Sequence, residues 1–307
     1  VGGGGVGQGP GGTMFEKRVE LETHMDHIRK MALFEPRGAV WHNANIILPS
    51  NHPEAQMGYV ILESTEYPAM SGSNTMCVAT VLLETGILPM EEPVTNLVLE
   101  SPAGLIHDRC ECSNGKVTSV RLVNQPAFCY HLDKHIEIPG VGTVRLDVVY
   151  GGMTFAMVEA ADLGFSIHPS EARELCVMGE KVKAAAAEQL EVRHPINPEI
   201  PGISITEFTG PIRRENGNLI SKNTVIVSPG RCDRSPCGTG SSARLALLHA
   251  KGQIKPGETF IHESITGSRF TCSIEGVTEV GHYPAVIPAI AGQAWITGTS
   301  QMGMDPT

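Results

Sequence analysis

Apolar positions along this chain follow two spacings. A few stretches repeat at helical intervals, and many short runs are apolar or alternate with polar residues. Phe15, Val19, Leu21, Met25, Ile28 and Met31 predict one helix from Met14 to Phe34, charged from Glu16 to Glu22 and broken by Glu35-Pro36-Arg37-Gly38. Short runs at Asn45–Leu48, Met57–Leu62, Leu97–Ser101, Gly104–Cys112 and Lys116–Val123 predict strands, with Asn114-Gly115 as a hairpin turn. Ile136–Pro139 and Gly142–Val149 close a first half, residues 1–150. The second half, 151–307, opens on a strand at Gly151–Val158. It continues with a helix over Ser170–Leu190, capped by Ser170, and strands at Ile203–Phe208 and Asn223–Val227. Phe260–Ile265, Arg269–Ile274 and Ala294–Thr299 complete its sheet. Many short strands with one or two helices per half predict a mixed α/β (α+β) fold, not a doubly wound parallel sheet. Val1 to Gly12 is dominated by glycine, lacks a core pattern and reads as a loop or a poorly ordered start.

One layout occurs twice. Ser71-Gly72-Ser73-Asn74-Thr75-Met76-Cys77 leads into an apolar helix ending at Gly86, and Cys237-Gly238-Thr239-Gly240 leads into an Ala/Leu-rich helix ending at Gly252. Cys237 − Ser71, Gly238 − Gly72 and Gly252 − Gly86 are each 166. Leu99–Gly104 then matches His262–Gly267 at an offset of 163. Three collinear positions and a trailing strand indicate an internal duplication, hence two pseudo-symmetric domains.

The second copy carries the more reactive chemistry. In Asp233-Arg234-Ser235-Pro236-Cys237-Gly238-Thr239-Gly240, Pro236 sets an extended approach and the glycines allow close backbone contact. Ser241 and Ser242 suit an N-cap or first turn. Free N–H groups and the positive end of a helix dipole bind anions and lower a thiol's pKa. Two such mouths facing across a cleft would hold a carboxylate on their N–H groups, with Ser71 and Cys237 on opposite sides of one carbon. That is chemistry at an acidic C–H. The plainer readings are a packing cysteine, a capping Ser71 and an Asx turn at Asp233.

The chain of 307 residues is long enough for two cores, and its net charge of −10 disfavours nucleic acid or an anionic membrane as partner. The eight cysteines are scattered and include no CxxC pair, so the thiols read as reduced, the compartment as cytoplasmic and a zinc site as absent. No metal or organic cofactor is implied.

Asp-Arg-Ser-Pro-Cys-Gly-Thr-Gly before a Ser/Ala-rich helix resembles the second active-site motif of the proline racemase family. That family includes proline racemases, 4-hydroxyproline epimerases and trans-3-hydroxy-L-proline dehydratases. Glu35–Gly38, Tyr150-Gly151-Gly152 and Glu263–Ser268 resemble further family landmarks, so the likeness spans nearly the whole chain. It implies the diaminopimelate epimerase fold, with the active site in the cleft between two similar halves and the last segment packing back on the first. It also implies that Asp233 holds the ring nitrogen of an amino-acid substrate.

The chain departs from the family at the first site, where Met70-Ser71-Gly72-Ser73 stands in place of Met-Cys-Gly-His. The histidine of the epimerases before a strand like Ile205–Phe208 is missing, and the family's first strand has no counterpart, as though the chain begins late. Serine is a far weaker base than cysteine, so a symmetrical two-base racemase loses one face. β-Elimination asks for less. The expectation the resemblance supports is therefore a trans-3-hydroxy-L-proline dehydratase, in which Cys237 would remove the Cα proton, the N–H groups of Gly72, Ser73, Gly238 and Thr239 would hold the carboxylate, and the 3-hydroxyl would leave as water with Ser71 as donor. The product tautomerises to Δ1-pyrroline-2-carboxylate. The alternatives are a 4-hydroxyproline 2-epimerase, alone or with dehydratase activity, and a non-catalytic binding protein on the same fold. A homodimer is compatible with each.

Overall fold

Residues 12–198 and 200–303 are described by the computed structural model, so the glycine-rich start lies outside them apart from Gly12. The chain divides between Leu122 and Val123, and residues 292–303 group with the first unit. The division falls ahead of Tyr150 because the strands between Ala127 and Tyr150 pair into the second unit's sheet. Within the first unit, Gln293 donates to the Val117 carbonyl at 3.3 Å.

The first unit opens on α1 (Met14–His24) and α2 (Asp26–Leu33). A capping box starts α1: Thr13 Oγ1 accepts the Glu16 N–H and Glu16 accepts the Thr13 N–H. The single helix predicted here is broken at Met25, which leaves the helical region at φ −129°. Tertiary anchoring overrides the apolar spacing. Arg29 pairs with Asp26 at 2.6 Å and donates to the carbonyls of Glu63 and Ser64, which fixes α2 on its own axis.

Next come β1 (Ala44–Leu48), β2 (Met57–Leu62), α3 (Gly72–Glu84), β3 (Val94–Ser101), β4 (Gly104–Ser113) and β5 (Lys116–Val123). They pair in the order β1-β2-β3-β4-β5. Only β2 and β3 run parallel, and α3 is the crossover that parallel pairing requires. β4 alternates strictly, burying Ile106, Asp108, Cys110 and Cys112.

The second unit contains β6 (Ala127–Ile138), β7 (Gly142–Tyr150), β8 (Thr154–Glu159), α4 (Ala172–Gln189), β9 (Ile205–Thr209), β10 (Arg213–Glu215), β11 (Asn218–Val227), β12 (Arg231–Cys232), α5 (Gly238–Ala250), β13 (Phe260–Ser264), β14 (Arg269–Val280) and β15 (Tyr283–Gly292). Eight strands follow one another as β15-β14-β13-β11-β9-β8-β7-β6, and β6 pairs again with β15 to close the ring. α5 is buried on every side from Gly238 to Leu248, as expected of a helix that fills the ring's interior, and packs on β6, β7 and β14. α4 buries one stripe, Leu175, Gly179, Val182, Ala185 and Ala186, against the same core as Phe208 and Ile226.

Three expectations change here. Ala294–Thr299 is not a strand; the last strand is β15. Pro284 and Pro288 disguise it in sequence, and the ladder accommodates Pro288 beside the register shift between Ile274 and Gly276. Gly151 and Gly152 form a bend before β8 rather than part of it. Ser170 does not cap α4; it lies in a 3₁₀ turn, Pro169–Glu171, capped by His168.

Candidate active site

β11, β12 and the segment to Cys237 build the mouth of α5. Ile226 pairs with Cys232, and the Asp233 N–H donates to the Val225 carbonyl at 2.8 Å. Asp233 Oδ1 accepts the N–H and hydroxyl of Ser235 at 2.9 and 3.1 Å, so the Asx turn is present. Ser235 Oγ in turn accepts the Cys237 N–H at 3.1 Å. Thr266 and Ser268 hold the Arg234 carbonyl, which explains one of the sequence landmarks.

The N-cap of α5 is Cys237 itself, and Ser241 and Ser242 lie one turn inside the helix. Sγ accepts the Gly240 N–H at 3.4 Å and lies 3.5 Å from Thr239 Oγ1. The N–H groups of Gly238 and Thr239 belong to the first turn, where a helix supplies no internal acceptor. Cys237 stands at φ 64°, ψ 118°, a backbone state that costs an L-residue on the order of 1–3 kcal/mol. Gly151 lets the preceding bend close on the helix, since a side chain there would meet the Thr239 carbonyl.

Electrostatics at this mouth correct one expectation. The helix end does not bring the thiol below its ordinary pKa. Burial pushes Cys237 well up, the Asp233 carboxylate adds to that, and the Thr239 hydroxyl and Gly240 N–H only partly offset them. Asp233 is itself raised, first by burial, against hydrogen bonds from Ser235 and the charge of Arg231. A cation beside Asp233 would remove part of the force that keeps the thiol protonated.

The mouth of α3 has the same length and start: Gly238 − Gly72 and Ala250 − Glu84 are both 166. Its N-cap is Ser71, in extended conformation and without a side-chain cap bond. Ser71 Oγ accepts from Asn74 Nδ2 at 2.9 Å and lies 3.3 Å from Ser73 Oγ. Asn74 is oriented by Asn45, whose Nδ2 donates to its Oδ1 at 2.9 Å. With a lone pair of Oγ engaged by Asn74, the Ser71 hydrogen is available to donate.

The proline racemase family profile matches residues 1–307. The chain belongs to the proline racemase family. A probable proline racemase from Agrobacterium radiobacter K84, with bound carbonate, is 38% identical over 99% of this chain and 88% of its own, at a TM-score of 0.86. A hydroxyproline epimerase from Agrobacterium vitis, with bound trans-4-hydroxy-L-proline, matches with the same identity, coverage and TM-score. A Bacillus anthracis phenazine biosynthesis protein of the PhzF family shares the fold alone, at 14% identity and a TM-score of 0.57 over 89% of this chain and 87% of that one. The mixed α/β fold expected from the strand pattern is thus the fold of this family.

In this proline racemase family enzyme, Asp233, Cys237, Gly238 and Thr239 come together in one loop and helix start, and Ser71, Gly72 and Ser73 in the other. Sequence reasoning passed over four charged or polar residues around Cys237. Arg231 is 9% exposed and acts electrostatically on both Asp233 and Cys237. Glu207, Asn223 and His262 are fully buried behind the loop. Their signal was a polar residue at an inward strand position, visible only once the inward face is known. Among the described residues, no three His, Cys, Asp or Glu gather to hold a metal, and no helix is long and apolar enough to cross a membrane.

Proposed function

We propose that this enzyme epimerises a hydroxyproline at Cα, with 4-hydroxyproline as the substrate. Support comes chiefly from the 38% identity, over 99% of the chain, to a hydroxyproline epimerase that holds trans-4-hydroxy-L-proline. The Cys237 thiolate takes the Cα proton. The electron pair spreads into the substrate carboxylate, held by the N–H groups of Gly72, Ser73, Gly238 and Thr239. Ser71 delivers its hydroxyl proton to the opposite face of Cα, water reprotonates Ser71, and the hydroxide so formed takes the proton from the Cys237 thiol, which returns both residues to their starting state. One C–H bond breaks, one forms, and the configuration inverts. Asp233 holds the substrate nitrogen as a cation, and that charge lowers the barrier to ionising Cys237.

Ser71 also favours a second reading. A serine is a poor base for the return step, so loss of the 3-hydroxyl of trans-3-hydroxy-L-proline as water could follow the same first proton transfer. Incubation with each substrate in D2O separates the two. Epimerase activity yields the Cα-inverted 4-hydroxyproline carrying one deuterium. Dehydratase activity yields a pyrroline and no inverted product. Absence of both products and of Cα deuterium exchange would overturn catalysis on these substrates.

A further inference from the structure

Behind the Cys237 loop, the second unit buries polar side chains that the reaction does not use. Glu207 on β9, Asn223 on β11 and His262 on β13 are each 0% exposed. Asn223 Nδ2 donates to the Pro236 carbonyl at 2.8 Å and to Glu207 Oε1 at 3.3 Å. The Ser241 hydroxyl donates to the same carbonyl at 3.3 Å, and its oxygen lies 2.9 Å from His262 Nδ1. His262 Nε2 is 3.5 Å from Glu207 Oε1. Glu207 Oε2 faces the first turn of α5, where a Cβ on Gly240 would come within 2.7 Å of it.

The geometry points to Asn223 as a positioning residue for Cys237, braced from behind by Glu207. The peptide plane between Pro236 and Cys237 is pinned at both ends, its carbonyl by Asn223 and Ser241 and its N–H by Ser235 Oγ. That plane sets φ of Cys237, which stands at 64° in a region an L-residue leaves when nothing holds it. Without Asn223, Cys237 relaxes toward negative φ, and Sγ swings away from the Gly240 N–H and out of its burial.

Glu207 suits the bracing role because burial raises its pKa to about 8, so at neutral pH it is mainly the uncharged acid, and only its ionised form adds to the repulsion that pushes Cys237 up. The charged groups that act on it are Arg244 from α5 and Asp233 from the loop. His262 from β13 is held neutral by burial, with Arg244 adding to the effect.

The proposal rests on Cys237 as the catalytic base, but its main readout does not. Full-length Asn223→Ala is labelled with iodoacetamide across a pH series, and alkylation of the Cys237 peptide is followed by mass. We expect labelling of Cys237 to speed up by about tenfold as the thiol leaves its burial. Labelling of Cys272, buried in the same unit, should stay slow and so report an intact barrel. On the epimerisation substrate, kcat should fall by about 10²-fold with KM little changed, the signature of a misaimed group. Glu207→Ala should reproduce the faster labelling, and Glu207→Gln, which keeps the acceptor for Asn223, should restore slow labelling. Native-like Cys237 labelling in Asn223→Ala would overturn the proposal, as would equal gains at Cys237 and Cys272. If the native enzyme leaves both hydroxyprolines unchanged, the functional reading fails while the labelling still decides the positioning role.

Discussion

A thiol that is buried beside a carboxylate must lose that repulsion before it can act as a base, and each residue at the site has a separable effect. On the proposed mechanism Cys237→Ala removes the base that takes the Cα proton, so deuterium exchange from D2O into 4-hydroxyproline should fall by 10²-fold or more, about the contribution of a positioned base. Ser71→Ala should behave differently. Cys237 can still remove the proton and return deuterium to the same face, so NMR should show exchange with retention while inversion is lost. Glu207 gives a pH signature of its own. Its folded pKa of about 8 lies above the ordinary 4.5, so between those values the native state holds a proton that the unfolded chain has released. Its contribution is therefore full below pH 4.5 and is lost as pH rises to 8, by at most about 5 kcal/mol. Glu207→Gln lacks this decline, and denaturant midpoints at pH 5 and 8 should show the variant gaining on the native protein. His262 runs the other way, its pKa depressed by burial, so its contribution is present above 6.5 and lost as pH falls; both proteins share it.

At the level of elements, the mouth of α5 depends on where a side chain cannot be. Gly240 looked in sequence like room for a ligand, but its Cβ would strike Glu207 Oε2 at 2.7 Å and lie 3.2 Å from Cys237 Cβ. Gly240→Ala should cost about 1–3 kcal/mol in a denaturant titration and also reduce Cα exchange, because the clash moves the turn that holds Sγ. The two matching helices were legible because helical spacing, a small-residue start and a terminal glycine are local signals. β15 was not, because Pro284 and Pro288 argue locally against a strand and only pairing with β14 and β6 makes one. The break at Met25 was missed for a related reason. Nothing in the apolar spacing shows Arg29 reaching the carbonyls of Glu63 and Ser64.

For the molecule as a whole, the second unit closes its sheet around a helix buried on every side, whereas α1 leaves Phe15 and Val19 exposed. Opening the ring costs many buried contacts at once, and fraying α1 costs few. Hydrogen–deuterium exchange followed by mass spectrometry should find amides of α5 among the slowest and those of α1 among the fastest. Equal rates would contradict the closed ring. The sequence by itself determined the family, the mixed α/β class and the two helix starts, because motif and helical spacing are written in neighbouring residues. Only the tertiary structure decided the state of the thiol and what stands behind it. Burial overrides the helix end in setting the Cys237 pKa, and Glu207, Asn223 and His262 meet from three strands whose inward faces no local pattern reveals.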